Sequence, residues 1–325
     1  MKKLFTILAC AAAMVACEND EIVRQDLGDR IEFGSFVENS TRAAAATDPS
    51  YSTTGQGVAL TAFKVYGTVG GVNIFNGATV TKGEADYGAA WTCTDQNGNT
   101  VKQYWIAGAE YVFDAVVDAT SVTPGAVGLP TALGYVIADQ KDMLYKRVTT
   151  TGLAKDNPVV EFQFTHLLSK VKFSVTNTTA ATATNYRINV KAVKLLNVYP
   201  SGSYAVPAGT WTPDTASEFA LETYVVESHS TQFNSKEVLL IPGSAIGVYV
   251  EADIEATDDN GANWTAVSEV KKTFNDVLGT GNTLQANTAY HFAVSLGLSN
   301  EIKFTATKMP EWADGDGADD TPLNI

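Results

Sequence analysis

The chain has 325 residues, of which 45% are hydrophobic and 18% charged, a globular composition too apolar for a disordered polymer. Its formal net charge is −14, which leaves no basic surface for nucleic acid or an anionic membrane. The length suggests about two domains.

The N-terminus reads MKKLFTILACAAAMVAC. Lys2 and Lys3 precede an apolar run over 4–16 that is too short to span a bilayer. Met14-Val15-Ala16-Cys17 resembles a bacterial lipobox, and Cys10, inside the apolar run, is the poorer candidate. On this reading residues 1–16 are a lipoprotein signal peptide and Cys17 carries acyl chains that anchor the protein. An ordinary secretory signal is the alternative. Acidic residues follow at Glu18, Asp20 and Glu21. After processing Cys93 is the one free thiol, so no internal disulfide forms and the fold rests on its core.

Residues 30–37, RIEFGSFV, read as a short strand: Ile31, Phe33 and Val37 share one side and Phe36 adds apolar area. The following stretch, NSTRAAAATDPS over 39–50, is a tether of small residues with one charge, Arg42. Beyond it the dominant pattern has period two. In VVEFQFTHLL (159–168), Val160, Phe162, Phe164 and His166 share a face. KVKFSV (170–175), IGVYVEADIEA (246–256), YHFAVSLGL (290–298) and EIKFTAT (301–307) repeat the alternation, which marks half-buried antiparallel strands. Asn97-Gly98 and Asn260-Gly261 are hairpin signals. Residues 118–134 and 200–217, rich in Pro, Gly, Ser and Thr, are expected to be loops. Strand-like segments abut at 166–170, which places a domain boundary there: 43–167 and 168–325.

Little in the chain points to chemistry. His166 sits on an apolar strand face and reads as a packed, hydrogen-bonded residue; His291 alternates away from Tyr290 and Phe292 and is expected to be exposed; His229 reads as loop. No nucleophile elbow, CxxC, HExxH or phosphate loop is present. The acidic run Asp314 to Asp320 breaks calcium-loop spacing and reads as a solvated tail. Asp214-Thr215-Ala216 resembles a short O-glycosylation motif. Trp105, Trp211 and Trp264 are candidates for stacking on sugars, against a plain packing role. The expectation is a non-enzyme with no cofactor and no metal.

Several segments together resemble the Bacteroidetes fimbrillin family of pilus subunits: the lipobox at Cys17, the strand and arginine linker RIEFGSFVENSTRA (30–43), VEFQFTHLLSKVKFSV (160–175), LLIPGS (239–244) and NTAYHFAVSL with IKFTATKMPEW between 287 and 312. The resemblance implies an all-β fold of two tandem transthyretin-like β-sandwich domains. It also implies export as an outer-membrane lipoprotein, with 17–42 as lipidated leader, and a cut by an arginine-specific surface protease between Arg42 and Ala43. Assembly into a cell-surface fimbrium supporting adhesion would follow by donor-strand exchange with other fimbrial subunits. The plug strand would carry Ile31, Phe33, Phe36 and Val37. A donor strand would come from Ile302 and Phe304, or from Leu323 and Ile325. A non-polymerising lipoprotein that binds glycan or host protein, or a fimbrial tip adhesin, is the alternative.

Overall fold

The computed structural model describes residues 30–37, 60–82, 91–153, 159–179, 184–226, 232–298, 302–309 and 321–322. Cys17, Arg42, Ala43, His229, Leu323, Ile325 and the acidic run 314–320 lie outside the described residues.

The chain begins with β1 (Phe33–Val37), β2 (Ala62–Val69), β3 (Val72–Lys82), β4 (Trp91–Thr94), β5 (Glu110–Val117), β6 (Ser121–Pro124), β7 (Pro130–Val136), β8 (Leu144–Thr151) and β9 (Val160–His166). It continues through β10 (Ser169–Asn177), β11 (Tyr186–Val198), β12 (Ser201–Ala205), β13 (Thr210–Pro213), β14 (Ser217–Ala220), β15 (Tyr224–Val226) and β16 (Gln232–Asn234). It closes with β17 (Val238–Leu240), β18 (Gly247–Ala256), β19 (Thr265–Phe274), β20 (Thr288–Leu296), β21 (Ile302–Met309) and β22 (Thr321–Pro322). Among the described residues the one helical element is a 3-10 turn at Ile137–Asp139, so the protein is all-β.

Alternation explains these strands. In β9, Val160, Phe162, Phe164 and His166 are buried while Glu161 is exposed. In β18 Val248, Val250, Ala252 and Ile254 are buried on one face, and Glu255 on the other. Both expected hairpin turns form. Asn260 and Gly261 take positive φ of 55° and 88° between β18 and β19, and Gly98 takes 81° after β4.

A seven-stranded sheet has the order β1-β9-β8-β5-β2-β3-β4, with β1 parallel to β9 and the other pairs antiparallel. It curls on itself. Past β4 the chain turns and bridges back at Thr94 and Thr100, and Arg30, ahead of β1, bridges Tyr104. The two ends of the sheet thus meet through residues 100–104, and the result is barrel-like. Its core is aromatic, centred on Phe63, Phe75, Phe113, Phe162 and Phe164.

The second half is a sandwich. One sheet runs β16-β10-β20-β21-β22 with β17 also on β10; the other runs β14-β11-β18-β19 with β15 also on β11. Phe173, Phe292 and Val294 belong to the same core as Val190, Val250 and Ile254 of the facing sheet.

A fourth sheet, β13-β12-β7-β6, corrects the expectation of loops at 118–134 and 200–217. The Pro and Gly residues there are turn punctuation around short strands. Gly125 and Gly128 shape the β6–β7 hairpin, and Thr, Val and Tyr supply strand-forming side chains between. This sheet takes two strands from each side of residue 167. Leu133 and Tyr135 of β7 join the sandwich core, as do Tyr66, Val116 and Tyr145 on the outer wall of the barrel.

Candidate functional site

The segment expected to act as a plug is the piece that closes the barrel. β1 pairs with β9 in parallel register, Phe33 opposite Val160 through Val37 opposite Phe164. The Val160 amide donates to Glu32 O at 2.8 Å. On the other side the Ile31 amide donates to Gln103 O at 2.9 Å. The leading segment is therefore bonded on both flanks and is a wedge in the barrel wall.

Its side chains reach the core. Ile31 is 4% exposed and Phe33 5%. The Phe33 ring meets Phe75 edge-on at 5.2 Å, Phe113 edge-on at 5.7 Å, and stacks on Phe162 at 5.9 Å. Gly67 on β2 makes room for this cage. A Cβ there would lie 2.8 Å from Phe113 Cδ1 and 2.9 Å from Phe75 Cδ2. The strap over 103–106 is held by Tyr111, whose hydroxyl accepts from the Ile106 amide at 2.6 Å and donates to Tyr104 O at 3.3 Å. Trp105 packs edge-on against the same ring at 4.8 Å. Cys93 lies in this core, and burial pushes its thiol up to about 11 against the opposing charge of Arg30.

The sequence profile of the fimbrillin-like family matches residues 41–312. The chain belongs to the fimbrillin-like family. The chain also shares its fold with solved proteins. A fimbrial protein from Bacteroides vulgatus aligns with 13% identity and a TM-score of 0.56, over 88% of this chain and 100% of that one. A protein described as a candidate for cell adhesion, from Bacteroides uniformis, aligns with 15% identity and a TM-score of 0.56, over 89% of this chain and 100% of that one. No curated protein matches the sequence.

The candidate donor residues Ile302 and Phe304 lie in β21, paired with β20 along the whole strand. Both are half-buried, and Phe304 stacks on Phe274 at 4.9 Å and meets Phe292 at 5.9 Å. β22 adds only two pairs, Thr307 with Pro322 and Lys308 with Thr321.

The two described histidines are both packed against partners. His166 Nδ1 lies 2.7 Å from Asp142 Oδ2, with both side chains at or below 2% exposure, as expected of a packed residue. His291 departs from the expected exposure: it is half-buried, with Nε2 2.8 Å from the Ser174 hydroxyl on the neighbouring strand β10. The strand alternation was read correctly there, but the outer sheet face is itself partly covered. Among the described residues no three His, Cys, Asp or Glu side chains are grouped to hold a metal.

The tryptophans pack. Trp105 is buried, and Trp211 is half-buried with its indole donating to Leu167 O at 3.1 Å. Trp264 lies under the Arg187 guanidinium at 4.5 Å. Asp214 of the glycosylation-like motif accepts a hydrogen bond from Ser201, and Thr215 is exposed.

Sequence reasoning missed Gly67 and the 103–106 strap. A glycine inside the alternating run AFKVYGTV signals a close approach of packed groups, and was a readable sign. The strap carried no such sign, because its pairing partner lies some seventy residues earlier in the chain.

Proposed function

We propose that this chain is a structural subunit of a cell-surface fimbrium that polymerises by strand replacement at the seat of β1. What supports this reading is one observation: residues 31–37 complete a barrel whose remaining strands come from beyond residue 60, and the intervening stretch contains the single-arginine tether. The chain is exported as a lipoprotein anchored through Cys17 and stays monomeric while β1 fills its own groove. A surface protease specific for arginine cuts between Arg42 and Ala43. That cut frees the body from the lipid and lets β1 leave.

The vacated groove presents the Phe75, Phe113 and Phe162 rings and the open edge of β9. A strand from a neighbouring subunit fills it by β-augmentation, and the head-to-tail contact propagates into a filament. Burying Ile31 and Phe33 alone is worth roughly 3–6 kcal/mol, a large share of a domain's net stability. The donor is drawn from Thr321 onward. Withdrawing it gives up two residue pairs, whereas withdrawing β21 unstacks Phe304. The body divides into 43–167 and 168–325, the first as acceptor and the second as donor. The partners are other fimbrial subunits.

Intact mass of protein sheared from the surface tests this. Filaments whose subunits begin at Ala43 are expected. Filaments of chains that retain Cys17 and its lipid would overturn the reading. Arg42→Ala is expected to leave a folded, membrane-bound monomer.

A further inference from the structure

A cleft of about 300 Å³ lies on the outer wall of the barrel, beside the sheet that links it to the sandwich. Of its lining residues, Phe63 and Val117 belong to the core that buries Ile31 and Phe33, while the charged rim lies outside that core. Its apolar lining with exposed surface is Ala62 of β2, Ala119, and Val122 of β6, each half-buried. Its rim carries Lys64 and Lys141, against Asp118 and Asp139.

The rim is partly fixed in place. Asp139 Oδ2 accepts from the Thr120 hydroxyl at 2.9 Å, and Thr120 Oγ1 in turn accepts from the Val136 amide at 3.2 Å. Asp118 sits in the left-handed region at φ 51° at the end of β5. Its carboxylate is half-buried and accepts no hydrogen bond among the described residues. Burial raises its pKa, Lys141 opposes and Asp142 adds. Lys64 and Lys141 likewise make no ion pair among the described residues, unlike Lys191, Lys194 and Lys271 on the sandwich.

The chemistry of such a ligand is constrained. The four rim charges cancel, so a ligand of either sign meets two groups of its own sign. A hydroxyl satisfies both kinds: it donates to a carboxylate and accepts from an ammonium. The apolar lining suits the C–H face of a pyranose ring. The volume is at the small end for ligand sites and fits one or two sugar rings. We infer that this cleft binds a neutral saccharide, with Asp118 and Asp139 accepting from its hydroxyls and Lys64 and Lys141 donating to them. The site is independent of polymerisation, so every subunit of a filament would carry it.

Saturation-transfer NMR on the full chain with a panel of neutral methyl hexosides tests the inference. Sialic acid serves as the anionic probe and glycine betaine as the zwitterionic one. Transfer to at least one neutral glycoside at millimolar concentration is expected. Asp118→Asn, whose side chain tolerates the left-handed backbone, is expected to weaken it roughly tenfold or more. Lys64→Gln, at an exposed position, is expected to weaken it too and guards against a folding defect at residue 118. Transfer to no neutral glycoside, transfer only to the charged probes, or binding unchanged in both variants would each overturn the inference.

Discussion

Phe33→Ala probes the central structural claim, that β1 is a working part of the barrel wall. Phe33 is 5% exposed and touches three aromatic rings. Truncating a buried phenylalanine typically destabilises by about 3–5 kcal/mol, through lost transfer free energy and the cavity left behind. The cage around it belongs to β3, β5 and β9, three separate strands, so collapse into the cavity is restricted and the upper part of that range is expected. A loss of that size is on the order of a third of a typical domain's stability. Urea unfolding of a chain that retains residues 30–60 measures it, with the slope checked so that a change in midpoint can be read as a change in stability. A loss under about 1 kcal/mol, the value for an unremarkable site, would mean that the barrel closes without β1. The plug reading of residues 30–37 would then fail on its own terms, whatever happens at Arg42.

Other expectations follow from the same contacts. Gly67→Ala should destabilise by about 1–3 kcal/mol, because its methyl would overlap the Phe75 and Phe113 rings; an unchanged melting temperature would refute the cage geometry. Asp114→Ala should cost about 3 kcal/mol or more, since Asp114 is fully buried and accepts from Arg147 at 2.6 and 2.7 Å and from the Tyr145 hydroxyl at 2.6 Å; unfolding measurements check it. Cys93, buried with its thiol pushed up to about 11, should react with a thiol reagent at pH 8 only after β1 is removed or the protein unfolds, and rapid labelling of the intact chain would count against the closed barrel. The Asp259 carboxyl, held down to about 2 by the Asn263 amide and the Thr257 hydroxyl, should keep its loop contacts as pH falls through the usual carboxylate range and lose them only near pH 2; a carbon-13 titration midpoint near 3.8 would refute this.

Much of the fold was readable because it rests on alternation. β9, β10, β18 and β20 were visible as strands, and the apolar face of each is buried as period two implies, although Lys170 and Ser174 of β10 and Glu255 of β18, on the other face, are buried too. The turn at Asn260-Gly261 was visible because its backbone needs two residues that tolerate positive φ. β6, β7, β12 and β13 were not visible. They are four to seven residues long and punctuated by Pro and Gly, and β6, β12 and β13 carry no buried side chain, so composition overrode pattern; only β7 has a buried face, at Leu133 and Tyr135. At the candidate site Ile31 and Phe33 were legible as buried side chains. Their partners were not, because Gln103, Tyr104 and the Phe75–Phe113–Phe162 cage meet them only through the curl of the sheet, a long-range property that local periodicity does not encode.

The two-sided seat of β1 also bears on why a proteolytic trigger would be needed. Cutting the tether would leave the described contacts of β1 in place. What would change is its effective concentration, which for a strand tethered in the same chain is of millimolar order and would fall to that of any free peptide once the tether were severed. While β1 is tethered, no neighbour's strand at cellular concentration competes with it, even if the two strands bind equally well. Once cut, β1 would be held by five parallel pairs to β9, a bridge to the 103–104 strap and the buried Ile31 and Phe33 side chains, and each departure would be final because the leaving strand is diluted. Parallel pairing is slightly the weaker kind per residue, which favours turnover at this edge over the antiparallel edges elsewhere in the sheet. The body left behind keeps its shape because its other anchors lie away from the groove: the buried Asp114–Arg147–Tyr145 cluster and the sheet that joins barrel to sandwich. Lengthening the tether without cutting it separates the two causes. If proximity holds the monomer, longer linkers lower the effective concentration gradually and bring slow, partial assembly, whereas a chemical requirement for the new Ala43 terminus would leave every uncut variant fully monomeric.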